Sequence, residues 1–109
     1  MESGVLRLGR TDAAKLIRHC LRQGRIRITR HFKEQLAAEG LTIGDAYYVL
    51  QQGIVLHEPE HDVFFQQWRY RMEGTEPDGK YVSIIFTFEG PEDGVLVTIF
   101  SDEGGRGES

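Results

Sequence analysis

Apolar positions recur at helical spacing along the first half of the chain and at alternate positions along the second. Ala13, Leu16, Ile17, Cys20 and Leu21 mark one face of a helix capped by Thr11, with Lys15, Arg18 and Arg22 on the other side. Gly24 is placed to end it in a left-handed turn. Ile26 and Ile28 then alternate with Arg25 and Arg27, the period of a half-buried strand over Arg25–Thr29. Thr29 offers a cap to a second helix running from Arg30 to about Glu39, which buries Phe32 and Leu36 and stops at Gly40. Thr42 caps a third, with Asp45 in its first turn, Ile43, Ala46, Tyr47 and Leu50 on one face, and Gly53 at its end.

From Ile54 onward the period is two. Ile54–Glu58 reads as a short strand, Asp62–Met72 as a long one, and Tyr81–Phe88 and Val95–Phe100 as two more. Pro77-Asp78-Gly79 and Pro91-Glu92-Asp93-Gly94 are the turns between them, because Pro fixes φ and Gly accepts positive φ. Residues 1–10 read as a loose arm whose Val5–Leu8 segment is placed to add an edge strand. Residues 103–109 read as a disordered, Gly-rich tail after a single domain over residues 1–102.

Helices followed by a meander predict an α+β fold, two to three helices on one face of a small antiparallel sheet. Alternation places Trp68, Tyr70 and Met72 on the helix side with Val82, Ile84, Phe86, Val95, Val97 and Ile99. The open side then carries Gln67, Arg69 and Arg71 with Tyr81, Ser83, Thr87 and Thr98, and Arg25 and Arg27 join it if Ile26 and Ile28 are core. Guanidinium forks match phosphate oxygens in geometry, so four arginines on one face suggest an anion site.

Composition narrows the class. At 109 residues, 39% hydrophobic and 28% charged, the chain is an ordinary globular domain with no apolar run long enough to cross a membrane. The start, Met1-Glu2-Ser3-Gly4, lacks a basic segment followed by an apolar one, so no export signal is expected. With the lone Cys20 on an apolar helix stripe, a cytoplasmic setting is expected. The net charge of −4 conceals polarity: residues 1–33 hold nine Lys/Arg against two acids, residues 34–109 four against fifteen. A basic arm on an acidic body fits a local anion site, or neutralisation of one half by the other within the fold or in a homodimer.

His57-Glu58-Pro59-Glu60-His61 matches the H-E-x-x-H zinc pattern in letters only. That chemistry needs a helix to bring both histidines to one face. Pro59 at its centre and strand-like flanks predict an exposed hairpin loop instead, with no third ligand evident.

The assembled pattern resembles the BrnT-type branch of the RelE/ParE-like toxin superfamily and an allied family of uncharacterised bacterial domains. The matching pieces are Ile28-Thr29-Arg30-His31-Phe32, Glu39-Gly40-Leu41-Thr42 leading into Asp45–Leu50, Trp68-Arg69-Tyr70, Val82–Phe86 and Val95–Phe100, spanning residues 25–102. Gly24-Arg25-Ile26-Arg27 after the leading helix also resembles the entry to MqsR-type toxins. The resemblance implies a RelE-like sheet fold. It further implies metal-free, cofactor-free RNA cleavage and neutralisation by an antitoxin protein. On that basis His31 is the expected acid or base, Arg69 and Arg71 hold the phosphate, and Arg25, Arg27 and Lys80 support the RNA, with Tyr81 stacking on a base. The alternative expectation is a non-catalytic protein-interaction module on the same fold, which the acidic balance favours.

Overall fold

A computed structural model describes residues 6–101. Three helices precede most of a six-stranded sheet: α1 (Arg10–Arg22), β1 (Arg25–Ile28), α2 (Arg30–Ala38), α3 (Ile43–Gln52), β2 (Ile54–Val55), β3 (Glu60–Asp62), β4 (Gln67–Thr75), β5 (Tyr81–Gly90) and β6 (Asp93–Ser101). The architecture is α+β. The sheet runs β1-β6-β5-β4-β2, with β3 pairing β4 off that path. All pairings are antiparallel except β1 with β6, which is parallel. No described helix is long and apolar enough to cross a membrane.

The helices form where the periodicity places them, with local differences. α1 begins two residues earlier than expected, with Gly9 at the cap and no side-chain cap bond, so Thr11 lies inside the helix. α2 and α3 carry the expected caps. Thr29 Oγ1 accepts from Phe32 N at 3.0 Å, and Thr42 and Asp45 form a reciprocal capping box. Gly40 has φ +70 and supplies the left-handed stop. Gly24 does not: a Cβ there would lie 2.5 Å from the Glu92 carbonyl oxygen, so glycine is needed for close approach of α1's exit to the β5–β6 turn.

Ala13, Ile17, Cys20, Phe32, Ala46, Val49 and Leu50 pack on Tyr70, Met72, Val82, Ile84, Phe86, Leu96 and Ile99. Arg18, on α1's polar side, closes the end of α3. Its Nε donates to Leu50 O at 2.8 Å and its terminal nitrogen to Gly53 O at 2.7 Å.

Two strand expectations are corrected. Asp62–Met72 is not one strand. Asp62 Oδ1 accepts from the N–H groups of Phe64 and Phe65, and Gln66 adopts φ 55, so the chain reverses and β3 and β4 form a hairpin. In β6 the register slips: Ile85 pairs Thr98 while Phe86 pairs Leu96, leaving Val97 extra. This bulge turns Val95 away from the helices, in register with Thr87 and Arg27, and makes Leu96 and Ile99 the core residues. Residues 6–8 form no strand; Val5 and the tail at 103–109 lie outside the described residues.

Candidate functional site

The open side of the sheet carries a cleft of about 410 Å³, lined by His57, Glu58, Glu60, Arg69, Tyr70, Arg71, Ile85 and Thr98. Its floor is β4, β5 and β6. One wall is the segment linking β2 to β3, which brings His57 over the sheet. Residues 57–61 are extended rather than helical, and their two histidines part. His57 Nε2 lies 3.5 Å from Glu73 Oε2, while the His61 ring packs on Trp68. Among the described residues no group of three or more His, Cys, Asp or Glu is arranged to hold a metal ion.

On the side away from His57 the cleft is bounded by Thr98, next to the β6 bulge. Thr29 Oγ1 donates to the carbonyls of Leu96 and Val97 at 3.0 and 3.1 Å while its oxygen caps α2. The β1–α2 junction is thereby fixed over the bulge, and His31, in α2's first turn, has its Nε2 at 3.1 Å from Thr98 Oγ1. Which partner donates follows the ring's tautomer. Thr98, Ile85 and Arg71 occupy one cross-strand row. His31 therefore stands at one end of a row that has Arg71 near its other end.

Arg69 and Arg71 are half-buried, and each faces a carboxylate. An Arg69 terminal nitrogen is 3.0 Å from Asp62 Oδ2. Arg71 Nε is 3.3 Å from Glu73 Oε2, and its guanidinium lies over the Phe100 ring. Glu73, only 7% exposed, also accepts from the Tyr81 hydroxyl at 2.6 Å. Arg69 Nε, Arg71 Nε, Glu73 Oε2 and Ser83 Oγ are all buried here without a well-aligned hydrogen bond. Buried polar atoms are nearly always satisfied, so four on one face mark a place built around polar chemistry. Glu58 on the rim is held by Arg7 and Arg10 at 2.7 and 3.3 Å.

Of the residues expected at the site, Arg69 and Arg71 line the cleft, and His31 borders it through its contact with Thr98. Arg25 and Arg27 share the open side but lie at the β1 edge. There Arg25 pairs Asp93 at 2.6 Å and Arg27 pairs Glu89 at 2.6 Å. Those contacts raise both guanidinium pKa values, chiefly through the carboxylate hydrogen bond. Arg27 and Arg69 occupy one row with two strands between them, about 14 Å apart at the usual strand spacing. Lys80 turns away, its Nζ donating to Glu39 O at 2.9 Å. Tyr81 donates its hydroxyl to the Glu73 carboxylate at 2.6 Å. Sequence reasoning passed over Glu73 and His57 as site members. Glu73 was within reach, since it continues the 69, 71, 73 alternation. His57 was not, because a loop has no period.

Residues 28–101 match the family described as "Domain of unknown function (DUF4258)". No curated protein and no solved structure matches the chain.

Proposed function

We propose, for a chain that belongs to the DUF4258 family, that the cleft on the open side of its sheet cleaves RNA phosphodiester bonds. We read the sheet as RelE-like and the protein as the toxin member of a toxin–antitoxin pair, neutralised by a protein antitoxin. The observation that supports this reading is the contact of His31 with Thr98, which sets a histidine at the border of a cleft lined by two arginines.

The chemistry needs a base, a proton donor and stabilisation of phosphate charge. His57 lines the cleft, and His31 stands against Thr98 at its β6 side. One takes the 2′-hydroxyl proton, the freed oxygen attacks phosphorus, the bond to the 5′ oxygen breaks, and the other histidine returns a proton to that leaving oxygen. The products are a 2′,3′-cyclic phosphate and a 5′-hydroxyl. Arg69 and Arg71 supply guanidinium donors to the non-bridging oxygens. Glu73 and Asp62 orient those forks, and Tyr81 fixes Glu73. Arg25 and Arg27 extend the cationic side for the flanking strand, exchanging their carboxylate partners for phosphates.

A second reading rests on one specific observation: all four open-side arginines already face a carboxylate. A neutralised face suits a non-catalytic module that holds a protein partner. Induced expression separates the two. The nuclease reading expects growth arrest with RNA decay, abolished by His31→Ala and by Arg69→Ala. Normal growth and intact RNA alongside well-folded protein would leave the module.

A further inference from the structure

The two oxygens of the Glu73 carboxylate, on a side chain only 7% exposed, are not equivalent. Oε1 accepts from the Tyr81 hydroxyl at 2.6 Å. Oε2 is buried without an aligned donor, although Arg71 Nε lies 3.3 Å and His57 Nε2 3.5 Å away. Leaving a buried carboxylate oxygen unbonded is costly, and one such oxygen has lone pairs for two donors. The backbone beneath it is fixed, because Glu73 pairs Ile54 on one side and Ser83 on the other.

His57 faces that oxygen from an anchored segment. Val55 pairs Met72, Arg10 donates to Leu56 O at 3.0 Å, Arg7 and Arg10 hold the Glu58 carboxylate, and Pro59 is buried. The His57 side chain itself is 67% exposed and lines the cleft. Its ring therefore has one nitrogen against the carboxylate and room to close the roughly half an ångström that a hydrogen bond to Oε2 needs. Catalytic hydrogen bonds are commonly long in an unliganded enzyme and tighten when substrate binds. Once a carboxylate holds the proton of one imidazole nitrogen, the other nitrogen carries the lone pair. In His57 that other nitrogen is Nδ1.

We propose, on the RNA-cleaving reading of this cleft, that Glu73 is the positioning residue of His57: its Oε2 accepts the Nε2 proton, and Nδ1 is thereby the base. Nδ1 takes the 2′-hydroxyl proton, the freed oxygen pair closes on phosphorus, the bond to the 5′ oxygen breaks, and His31 gives that oxygen a proton. Each ring then exchanges one proton with water and is restored. Tyr81, by occupying Oε1, decides which carboxylate oxygen faces His57. A carboxylate behind a general-base histidine sets the tautomer and the orientation of the ring.

Glu73→Gln tests this without emptying the site. Its amide oxygen takes over the Tyr81 bond, which leaves an amide NH2, a donor, in place of Oε2. Long-range proton–nitrogen NMR of the isotope-labelled full chain, at about pH 8.5 where imidazole is neutral, reads the tautomer. The wild-type ring is expected to carry its proton on Nε2, and the Glu73→Gln ring on Nδ1. With RNA, kcat is expected to fall about a hundred-fold or more in Glu73→Gln, with KM little changed. A wild-type ring protonated on Nδ1 overturns the proposal, with no variant needed. So does a ring that stays protonated on Nε2 in folded Glu73→Gln, or RNA cleavage by that variant at an unchanged kcat. Tautomers that switch as expected, beside RNA left whole by the wild type, uphold the Glu73–His57 bond and overturn the RNA-cleaving reading instead.

Discussion

His31 and Thr98 lie 67 residues apart in the chain, yet the imidazole Nε2 is 3.1 Å from the threonine hydroxyl. The contact exists because Thr29 ties the start of α2 to the bulge in β6. It fixes where the ring stands relative to Arg71, three positions along the same row.

Thr98 therefore acts on the reaction through His31. Thr98→Val is expected to lower kcat on RNA about ten-fold with KM little changed, and to alter the pH–rate profile, while Thr98→Ser restores both. His31→Ala is expected to cost about a hundred-fold or more, the usual worth of a general acid or base. Steady-state kinetics across pH measures this. Equal loss in Thr98→Val and Thr98→Ser would remove the hydroxyl from the account.

Phosphate contacts release counterions, so RNA affinity should fall with salt. For single-stranded RNA each contact contributes about 0.7 to the slope of log K against log salt. Arg71→Ala and Arg69→Ala are each expected to reduce the slope by about that amount. Fluorescence titration in graded salt gives the value, and an unchanged slope would show that the arginine touches no phosphate.

Glu73 is the buried anion of the site, facing Arg71, His57 and the Tyr81 hydroxyl. Glu73→Ala strands a guanidinium and a hydroxyl. Breaking a fully buried pair costs about 3–5 kcal/mol, and Arg71 is over a third exposed, so about 2 kcal/mol is expected here. Urea unfolding measures it. Glu73→Gln, which still accepts from Tyr81, is expected to lose less.

Gly24→Ala places a methyl 2.5 Å from the Glu92 carbonyl oxygen. The β5–β6 turn must shift, and with it the bond from Arg25 N to Glu92 O that starts the parallel β1–β6 pairing. A loss of about 1–3 kcal/mol is expected, as for other overpacked sites. A thermal midpoint equal to wild type would contradict the close approach.

Burial, with Glu92 and Asp93 nearby, raises the Cys20 thiol above its ordinary 9.0. The unfolded chain then loses this proton at lower pH than the folded one. The group leaves stability unchanged below about pH 9 and reduces it as pH rises further. Tyr70, raised above 10.0 mainly by burial, adds to the decline at still higher pH. Cys20→Ala is expected to flatten the first part of that decline in urea melts between about pH 8 and 10. An identical slope would place the titration elsewhere.

Much of this was legible in the residues. The 3.6-residue stripes located three helices, and Thr29 and Thr42 marked two of their starts. Alternation put Arg69 and Arg71 on the side away from the helices, and the Ile26/Ile28 pattern did the same for Arg25 and Arg27. What stayed hidden has common physical causes. A bulge of one residue breaks the alternation, so of Val95, Val97 and Ile99 only Ile99, beyond the bulge, was assigned to the right side. The turn at Val63–Gln66 uses an Asp side chain and apolar residues instead of Gly or Pro, so it read as strand. Gly24 was read as a left-handed stop, whereas its need is set by a carbonyl 68 positions away. Pairing of the open-side arginines with acids is equally non-local. Period and composition carry no trace of Arg71 meeting Glu73 or of Arg27 meeting Glu89.

The most direct measurement of the central claim is end-group analysis of RNA incubated with the purified protein in a chelator. The account expects fragments ending in 2′,3′-cyclic phosphate and beginning with 5′-hydroxyl, formed by the wild type and absent with His31→Ala and Arg71→Ala of unchanged thermal midpoint. RNA left whole by a folded wild type, or cleaved equally by both variants, would contradict it.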